Sequence, residues 1–134
     1  MKLLLDTHVL IWLLRDDPDL PTNVVAMTED ETNEFYYSIA SFWEYSIKHH
    51  LHPEALRLTP KRLMSCCALS DMNLLQISPK HIAALDTLRW PESLPEHKDP
   101  FYRLLIAQAK AEGMVLVTHD ATIARYEEKC IRKV

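Results

Sequence analysis

Four acidic residues occur where apolar runs end or where helical patterns begin. Asp6 follows the run "KLLL", and Asp120 follows "MVLVTH". Glu44 comes about one turn into the helical pattern after "EFYYSIA", and Asp99 heads the helical pattern that precedes "MVLVT". If the runs are parallel strands, these junctions lie at one edge of a sheet, where ligands bind. Carboxylates that converge there repel one another unless they are protonated or bind a cation, and oxygen ligands suit Mg²⁺ or Mn²⁺.

Each of these acids also has a simpler role, because acidic and hydroxyl side chains cap helices. Asp6, Asp99 and Asp120 each stand directly before a helical pattern, and Ser41 with Glu44 matches the S-x-x-E capping box. The two roles are compatible, since a carboxylate can accept a backbone hydrogen bond with one oxygen and bind a metal ion with the other. The position of Asp6 favours the metal, because a carboxylate beside an apolar core needs a partner.

Alternating strand-like and helix-like segments must position these acids. Apolar, β-branched or aromatic runs predict strands at 2–5, 34–40, 74–77 and 114–118, with a final edge strand at 130–134. Helical spacing predicts helices at 7–15, 21–30, 41–51, 60–73, 78–90, 100–112 and 120–128, and 89–98 is expected to be a loop. The alternation indicates an α/β fold with a mainly parallel sheet, and residues 1–134 are expected to form a single domain.

The composition excludes several classes of binding protein. Gly113 is the only glycine, so the glycine-rich loops of dinucleotide-binding and P-loop proteins cannot form. Three cysteines, two of them adjacent, indicate neither a disulfide framework nor a zinc site, and they favour a reducing cytoplasm. The net charge of -4 argues against a large basic nucleic-acid surface, although metal ions could still bring a phosphate to the carboxylates. No apolar run is long enough to span a membrane, so no membrane partner is expected.

Four segments occur in a characteristic order from residue 3 to about residue 126: "LLDTHVLIWLL", "SIASFWEYSIK", "LPEHKDPFYRLLIAQA" and "LVTHD". Together they resemble the corresponding segments of PIN-domain proteins, in particular VapC-like toxins. The resemblance implies a three-layer α/β/α sandwich with a central sheet of four to five strands. It also implies a ribonuclease that depends on Mg²⁺ or Mn²⁺, a homodimer, and neutralisation by a cognate antitoxin protein.

The resemblance carries over to individual positions, with one departure. It implies that Asp6, Glu44 and Asp120 match the first, second and fourth acids of the family. Members of the subgroup read "DPFDRLLIAQA", whereas this chain retains Asp99 and has Tyr102 at the second aspartate. A phenol with a pKa of about 10 stays neutral at neutral pH and is a poor ligand for Mg²⁺. We therefore expect the three aspartates to hold the metal, directly or through water, and Glu44 to bind or orient the attacking water.

Four further residues are candidates for auxiliary roles in the hydrolysis of RNA. Thr7 and Thr118 flank two of the acids and could orient carboxylates or water, although capping and local turns also explain them. Arg103 could contact a phosphate or pair with a nearby acid. If Tyr102 abolishes the chemistry, the protein is an inactive PIN-fold module that binds only antitoxin or RNA. A receiver-like signalling domain is disfavoured, because no lysine directly follows "MVLVT".

Overall fold

The apolar run near the start of the chain forms the middle strand of the sheet. In the computed structural model, which describes residues 1–134, Leu3, Leu4 and Leu5 are fully buried in strand β1 (Lys2–Leu5). A strand with one face in water alternates apolar and polar residues, whereas a strand covered on both faces is apolar throughout. The sequence of β1 therefore requires helices on both faces of the sheet.

Strands and helices alternate along the chain and supply these two layers. The other strands are β2 (Glu34–Ser38), β3 (Asn73–Leu75), β4 (Val115–Thr118) and β5 (Ile131–Lys133). The helices are α1 (Thr7–Leu14), α2 (Thr22–Glu29), α3 (Ile39–Leu51), α4 (Pro60–Leu69), α5 (Pro79–Ala84) and α6 (Pro100–Glu112). The strand order is β3-β2-β1-β4-β5, and all neighbours are parallel. The predicted three-layer α/β/α fold with a parallel sheet of four to five strands is confirmed.

The two faces of the sheet carry separate apolar cores. Leu3 and Leu5 pack on one face with buried residues of α1, α2, α3 and α4. Leu4 and Leu116 pack on the other face with α6, where Ile106 is fully buried. This division follows from the strand geometry, in which successive side chains point to opposite faces. None of the helices is both long and apolar enough to cross a membrane.

The strand order reverses beside β1, and this reversal determines where a site can form. From β1 the chain moves outward through β2 to β3, and it then returns to place β4 and β5 on the opposite side of β1. Connections leave the two sides of such a reversal in different directions, which opens a crevice at the carboxyl ends of the strands. Asp6 directly follows β1, and Asp120 comes two residues after β4. Both acids therefore stand at the crevice.

The start of helix α3 differs from its prediction. The helix predicted at 41–51 begins at Ile39, because the Ser38 hydroxyl accepts a hydrogen bond from the Ala40 N–H at 3.0 Å. The same hydroxyl donates to the Gln108 side chain at 2.6 Å. Ser41 lies inside the first turn, so the capping box predicted for Ser41 and Glu44 is wrong.

The end of the chain also departs from the prediction. The helix predicted at 120–128 is only a 3-10 turn, Ile123–Arg125. The chain must leave the turn in extended form, because β5 pairs with β4 in parallel. Several predicted elements are shorter than expected: the helix predicted at 60–73 ends at Leu69, and the helix predicted at 78–90 ends at Ala84 before a 3-10 turn, Leu85–Thr87.

The only glycine ends helix α6 in a conformation that disfavours other residues. Gly113 has a φ of 66°, where L-residues cost roughly 1–2 kcal/mol, and nothing lies within 4 Å of the place where a Cβ would stand. We expect Gly113→Ala to lower the free energy of unfolding by about 1 kcal/mol. Gly113→Asn should cost less, because asparagine tolerates this conformation. Urea unfolding followed by circular dichroism measures both, and equal losses would contradict the conformational explanation.

Candidate active site

A cavity of about 390 Å³ lies at the crevice between β1 and β4. Three carboxylates line it, those of Asp6, Glu44 and Asp120, together with the phenol of Tyr102 and the side chain of Thr7. Asp6 and Asp120 come from strand ends, whereas Glu44 comes from the second turn of α3. The structure therefore brings together five of the eight residues that the sequence singled out.

Asp6 has the capping role that its sequence position suggested, and its second carboxylate oxygen has a different partner. It is the N-cap of α1, and its Oδ1 accepts a hydrogen bond from the Val9 N–H at 2.8 Å. Its Oδ2 accepts a hydrogen bond from the Thr118 hydroxyl. Only 4% of the residue is exposed, and this burial raises the pKa of its carboxyl above the ordinary value, although the hydrogen bonds from Thr118 and Val9 oppose the shift. A nearby cation would favour the charged form.

Asp120 is held by the backbone that follows it. Its Oδ1 accepts hydrogen bonds from the N–H groups of Thr122 and Ile123 at 2.7 and 2.9 Å. Its own N–H donates to the Thr118 hydroxyl oxygen at 3.0 Å. The buried Thr118 hydroxyl therefore donates to Asp6 and accepts from Asp120, and it fixes the two acids relative to each other. These bonds fit the sequence suggestion that Thr118 orients a carboxylate, although Thr118 does not itself line the cavity.

Tyr102 lines the cavity from the first turn of α6 and contacts Asp120 directly. Its hydroxyl donates to Asp120 Oδ2 at 3.1 Å. Burial, followed by the charge of Asp120, raises the pKa of the phenol, so it stays protonated and acts as a donor. Its ring stacks on His97 with 5.7 Å between centroids, and His97 in turn contacts Trp90 and Tyr126. The aromatic cluster of Trp90, His97 and Tyr126 thus fixes the position of the Tyr102 ring.

Glu44 is buried, with 2% of its surface exposed, but it borders the cavity. Lys48 Nζ lies 3.4 Å from Glu44 Oε2, one turn along α3, and also lines the cavity. The Glu-to-Lys spacing of four residues is a sequence signal for this pair. Thr7 donates its hydroxyl hydrogen to Ser41 Oγ at 3.0 Å. That bond ties the start of α1 to α3 and so holds Asp6 near Glu44.

Besides Thr118, two sequence candidates do not line the cavity. Asp99 is the N-cap of α6, and its Oδ1 accepts hydrogen bonds from the N–H groups of Phe101 and Tyr102 at 2.9 and 3.1 Å. The guanidinium of Arg103 donates to the Leu85 carbonyl at 3.1 Å. Neither side chain lines the cavity. The metal-binding role of Asp99 and the phosphate-binding role of Arg103 therefore stay predictions that this geometry does not support.

The donors around the cavity fit a hard divalent cation by their chemistry, because three carboxylates offer oxygen ligands. The raised pKa of Asp6 also marks a charge that a cation would stabilise. However, no group of three or more His, Cys, Asp or Glu side chains stands close enough together to hold a metal ion. Glu44 is paired with Lys48, and Asp120 accepts from Tyr102. The carboxylates thus line the cavity but do not lie close enough together to coordinate one ion jointly.

A known protein family matches most of this chain. The family model of the PIN domain matches residues 3–129. The chain belongs to the PIN-domain family. The match includes the three acids of the cavity and the Tyr102 position. Among curated protein sequences, none is similar enough to this chain to count as a relative.

Solved structures share the fold along almost the whole chain. VapBC2 from Rickettsia felis, bound to a DNA fragment from their promoter, has a TM-score of 0.69 at 18% identity, over 99% of this PIN-domain chain and 98% of that chain. VapBC-1 from nontypeable Haemophilus influenzae has a TM-score of 0.64 at 16% identity, with 92% and 90% covered. FitAcB from Neisseria gonorrhoeae has a TM-score of 0.59 at 19% identity, with 90% and 89% covered. At these identities the likeness establishes the fold alone.

The position of Asp99 predicts a loss of stability without a loss of metal affinity. Asp99→Ala removes the cap of α6 and should lower the free energy of unfolding by about 1 kcal/mol. Asp99→Asn keeps an oxygen for the two N–H groups, so its stability and its affinity for Mn²⁺ should both stay near the wild-type values. Urea unfolding and calorimetric titration with Mn²⁺ measure the two effects. A large loss of Mn²⁺ affinity in a stable Asp99→Asn protein would instead support the metal role predicted from the sequence.

The raised pKa of Asp6 predicts how stability depends on pH in the absence of metal. The folded protein keeps a proton that the unfolded chain releases near the ordinary value of 3.8. Wild-type stability should therefore fall as the pH rises from about 4 through the folded-state pKa. Asp6→Asn does not titrate, so its Tm relative to wild type should increase across this window and become constant above it. Thermal unfolding in EDTA measures this difference.

The exposed Asp71 offers a matched control for this measurement. Asp71→Asn should show no such increase in Tm relative to wild type. Added Mn²⁺ should stabilise the wild type more than Asp6→Asn, because an ion that binds only the folded state raises its stability. A Tm difference between Asp6→Asn and wild type that is the same at all pH values would contradict the role assigned to burial.

Proposed function

We propose that this protein is a Mg²⁺- or Mn²⁺-dependent ribonuclease and the toxin of a toxin–antitoxin pair. The observation that carries the proposal is the convergence of Asp6, Glu44 and Asp120 at the strand-order reversal of a PIN-domain sheet. A metal ion is the common requirement of phosphodiester hydrolysis at such a site, because carboxylates alone would repel the substrate's phosphates. The VapBC and FitAcB neighbours support the toxin–antitoxin setting.

The residues of the cavity would have different roles in the proposed hydrolysis. A divalent ion, when bound, lowers the pKa of water and neutralises the negative charge that grows on the phosphate oxygens. Asp6 and Asp120 are the residues that would hold it, since each keeps its carboxylate fixed with backbone hydrogen bonds. Glu44 would bind or orient the attacking water, and its contact with Lys48 holds its carboxylate in position. The predicted contribution of Asp99 is tested by the Asp99→Asn variant.

The site also has features that favour a second function, that of a PIN-fold protein which binds antitoxin or RNA without cleaving RNA. Tyr102 places a neutral phenol where the resemblance implies a carboxylate. Its hydroxyl donates a hydrogen bond to Asp120 Oδ2, so a metal ion that binds this oxygen would have to displace the hydroxyl. The aromatic cluster around Tyr102 makes that displacement costly, because the ring is packed against His97. The two functions differ in whether the site turns over RNA.

We further propose the assembly and setting of this toxin. It would act in the cytoplasm as a homodimer in which residues 1–134 of each subunit form a single domain. It would also bind a cognate antitoxin protein. Three exposed apolar side chains support a protein contact, since Trp43, Ile47 and Leu51 repeat every four residues along α3. Their exposed fractions are 58%, 39% and 64%. Apolar stripes of this kind are covered when proteins associate.

A cleavage assay of four proteins tests the proposed function. We expect Mn²⁺-dependent cleavage of RNA by the wild type, and we expect Asp6→Asn to reduce it to background. Tyr102→Asp should bind Mn²⁺ more tightly and cleave faster, because it adds a carboxylate at the third position of α6, where acids are also favoured by the helix dipole. Tyr102→Phe is the matched control: it frees Asp120 Oδ2 without adding a ligand, so it should gain less than Tyr102→Asp.

The outcomes separate the two candidate functions. A silent wild type with activity in Tyr102→Asp would favour the binding protein, whose chemistry was lost at that position. Cleavage by Asp6→Asn at the wild-type rate would refute the site assignment. If all four proteins are folded by circular dichroism and none cleaves RNA, the ribonuclease proposal is wrong.

A further inference from the structure

A second cavity of about 710 Å³ adjoins the carboxylate cavity. Three arginines line it, Arg15, Arg57 and Arg62, and no aspartate or glutamate does. None of the three guanidinium groups forms an ion pair, because the six salt bridges of the protein involve other cations. In a chain with a net charge of -4, three unpaired arginines around one acid-free cavity form a locally positive surface, which we name the arginine cavity.

Local stability does not explain why these three arginines share one cavity, although Arg15 stands at a helix C-terminus, where a cation is favoured. They come from three segments: the C-cap of α1, the connection before α4 and the first turn of α4. A cation in the first turn of a helix, such as Arg62, is disfavoured by the helix dipole. Like charges that face one cavity also repel. An anionic ligand would offset both costs, and the planar guanidinium suits phosphate oxygens in particular.

The arginine cavity and the carboxylate cavity share a wall. His8, Ile11, Tyr45 and Leu56 line both. The Tyr45 hydroxyl donates to the Leu58 carbonyl at 2.7 Å. That hydrogen bond attaches the segment that carries an arginine to α3, the helix that carries Glu44. A bound chain could therefore continue from one cavity into the other along a surface of fixed shape.

Aromatic side chains follow the same path. Trp12 lines the arginine cavity, and its ring centroid lies 4.1 Å from that of His8 and 5.2 Å from that of His119. His8 and His119 both line the carboxylate cavity. Aromatic rings beside a basic groove are how proteins bind single-stranded nucleic acid without reading its sequence, since bases stack on the rings. An acidic peptide would gain from the arginines and not from such stacking.

We propose that Arg15, Arg57 and Arg62 bind the phosphates of a single-stranded RNA on one side of the cleavage point, and that Trp12 stacks on a base of the same strand. The inference rests on the proposed RNA substrate, and it states along which side of the carboxylate cavity the strand runs. The three arginines act as positioning residues. They hold the strand so that one phosphodiester reaches the carboxylates.

Binding in EDTA tests this inference independently of cleavage. Fluorescence anisotropy with a labelled oligouridylate of about 12 nucleotides, a length within the 4–16 nucleotides typical of such grooves, gives the Kd of the full-length protein. We expect the double variant Arg57→Gln/Arg62→Gln to raise the Kd about tenfold and to reduce the slope of log K against log salt by roughly 0.7 for each phosphate that the variant no longer neutralises. Arg125→Gln is the control, because Arg125 is exposed, lines neither cavity and forms no ion pair.

Each result has a defined meaning, provided that circular dichroism shows the variants to be folded. An unchanged Kd and salt slope in the double variant would overturn the inference even if the wild type cleaves RNA. A weakened variant would support it even if no cleavage is found, in which case only the ribonuclease proposal fails. A wild type that binds oligoglutamate through these arginines and does not bind RNA would assign the cavity to an acidic protein segment and overturn the inference. So would a wild type that binds neither probe.

Discussion

The Asp6 carboxylate lies at the end of the central strand, where burial makes its charge costly and hydrogen bonds from Val9 and Thr118 offset that cost. Because Thr118 ends β4, its hydroxyl joins the carboxyl ends of β1 and β4 at the point where the strand order reverses. The same hydroxyl accepts the N–H of Asp120. One buried threonine thus forms hydrogen bonds with two acids that are far apart in the sequence, and the backbone pairing of β1 with β4 holds the strand ends beside each other. Any chemistry at the crevice depends on this arrangement.

Tyr102 changes the electrostatics of the site. A carboxylate at this position would face Asp120 as a like charge, and only a cation could make that arrangement favourable. The phenol instead donates a hydrogen bond to Asp120, so the Asp120 carboxylate has a partner even without a bound ion. The charge of Glu44 is likewise balanced by Lys48. Asp6 is buried and forms no ion pair, and this makes Asp6 the residue at which a bound ion has most effect.

Local patterns predicted the strands and the positions of Asp6 and Asp120, because apolar runs and the acids that end them are adjacent in sequence. They could not predict which serine caps α3. Ser38 and Ser41 are three residues apart and equally good caps, and the choice is made by a hydrogen bond between Ser38 and Gln108, 70 residues away. The 3-10 turn after Asp120 has a similar origin, since it depends on the pairing of β5 with β4.

The position of Asp99 outside the cavity has a geometric cause. Asp99 and Tyr102 are three residues apart at the head of α6, and residues with this spacing lie on one side of a helix. An N-cap residue, however, turns its side chain back toward the N–H groups of its own helix. Asp99 satisfies those groups, and the residue that reaches the cavity is Tyr102, at the third position of the helix. Residue type alone suggested that the acid binds at the cavity, whereas the capping geometry leaves Tyr102 as the residue that lines it.

The net charge of the whole chain does not indicate whether one of its surfaces can bind a polyanion. A value of -4 for the whole chain is compatible with a cavity that contains three arginines and no acids, because the field at a cavity depends on the charges that line it. The carboxylate cavity beside it has the opposite sign. A strand that crosses both would be bound by cations of the protein on one side and would need a metal ion only at the bond to be broken. Affinity would then depend on salt through the arginines, and turnover would depend on metal through Asp6 and Asp120.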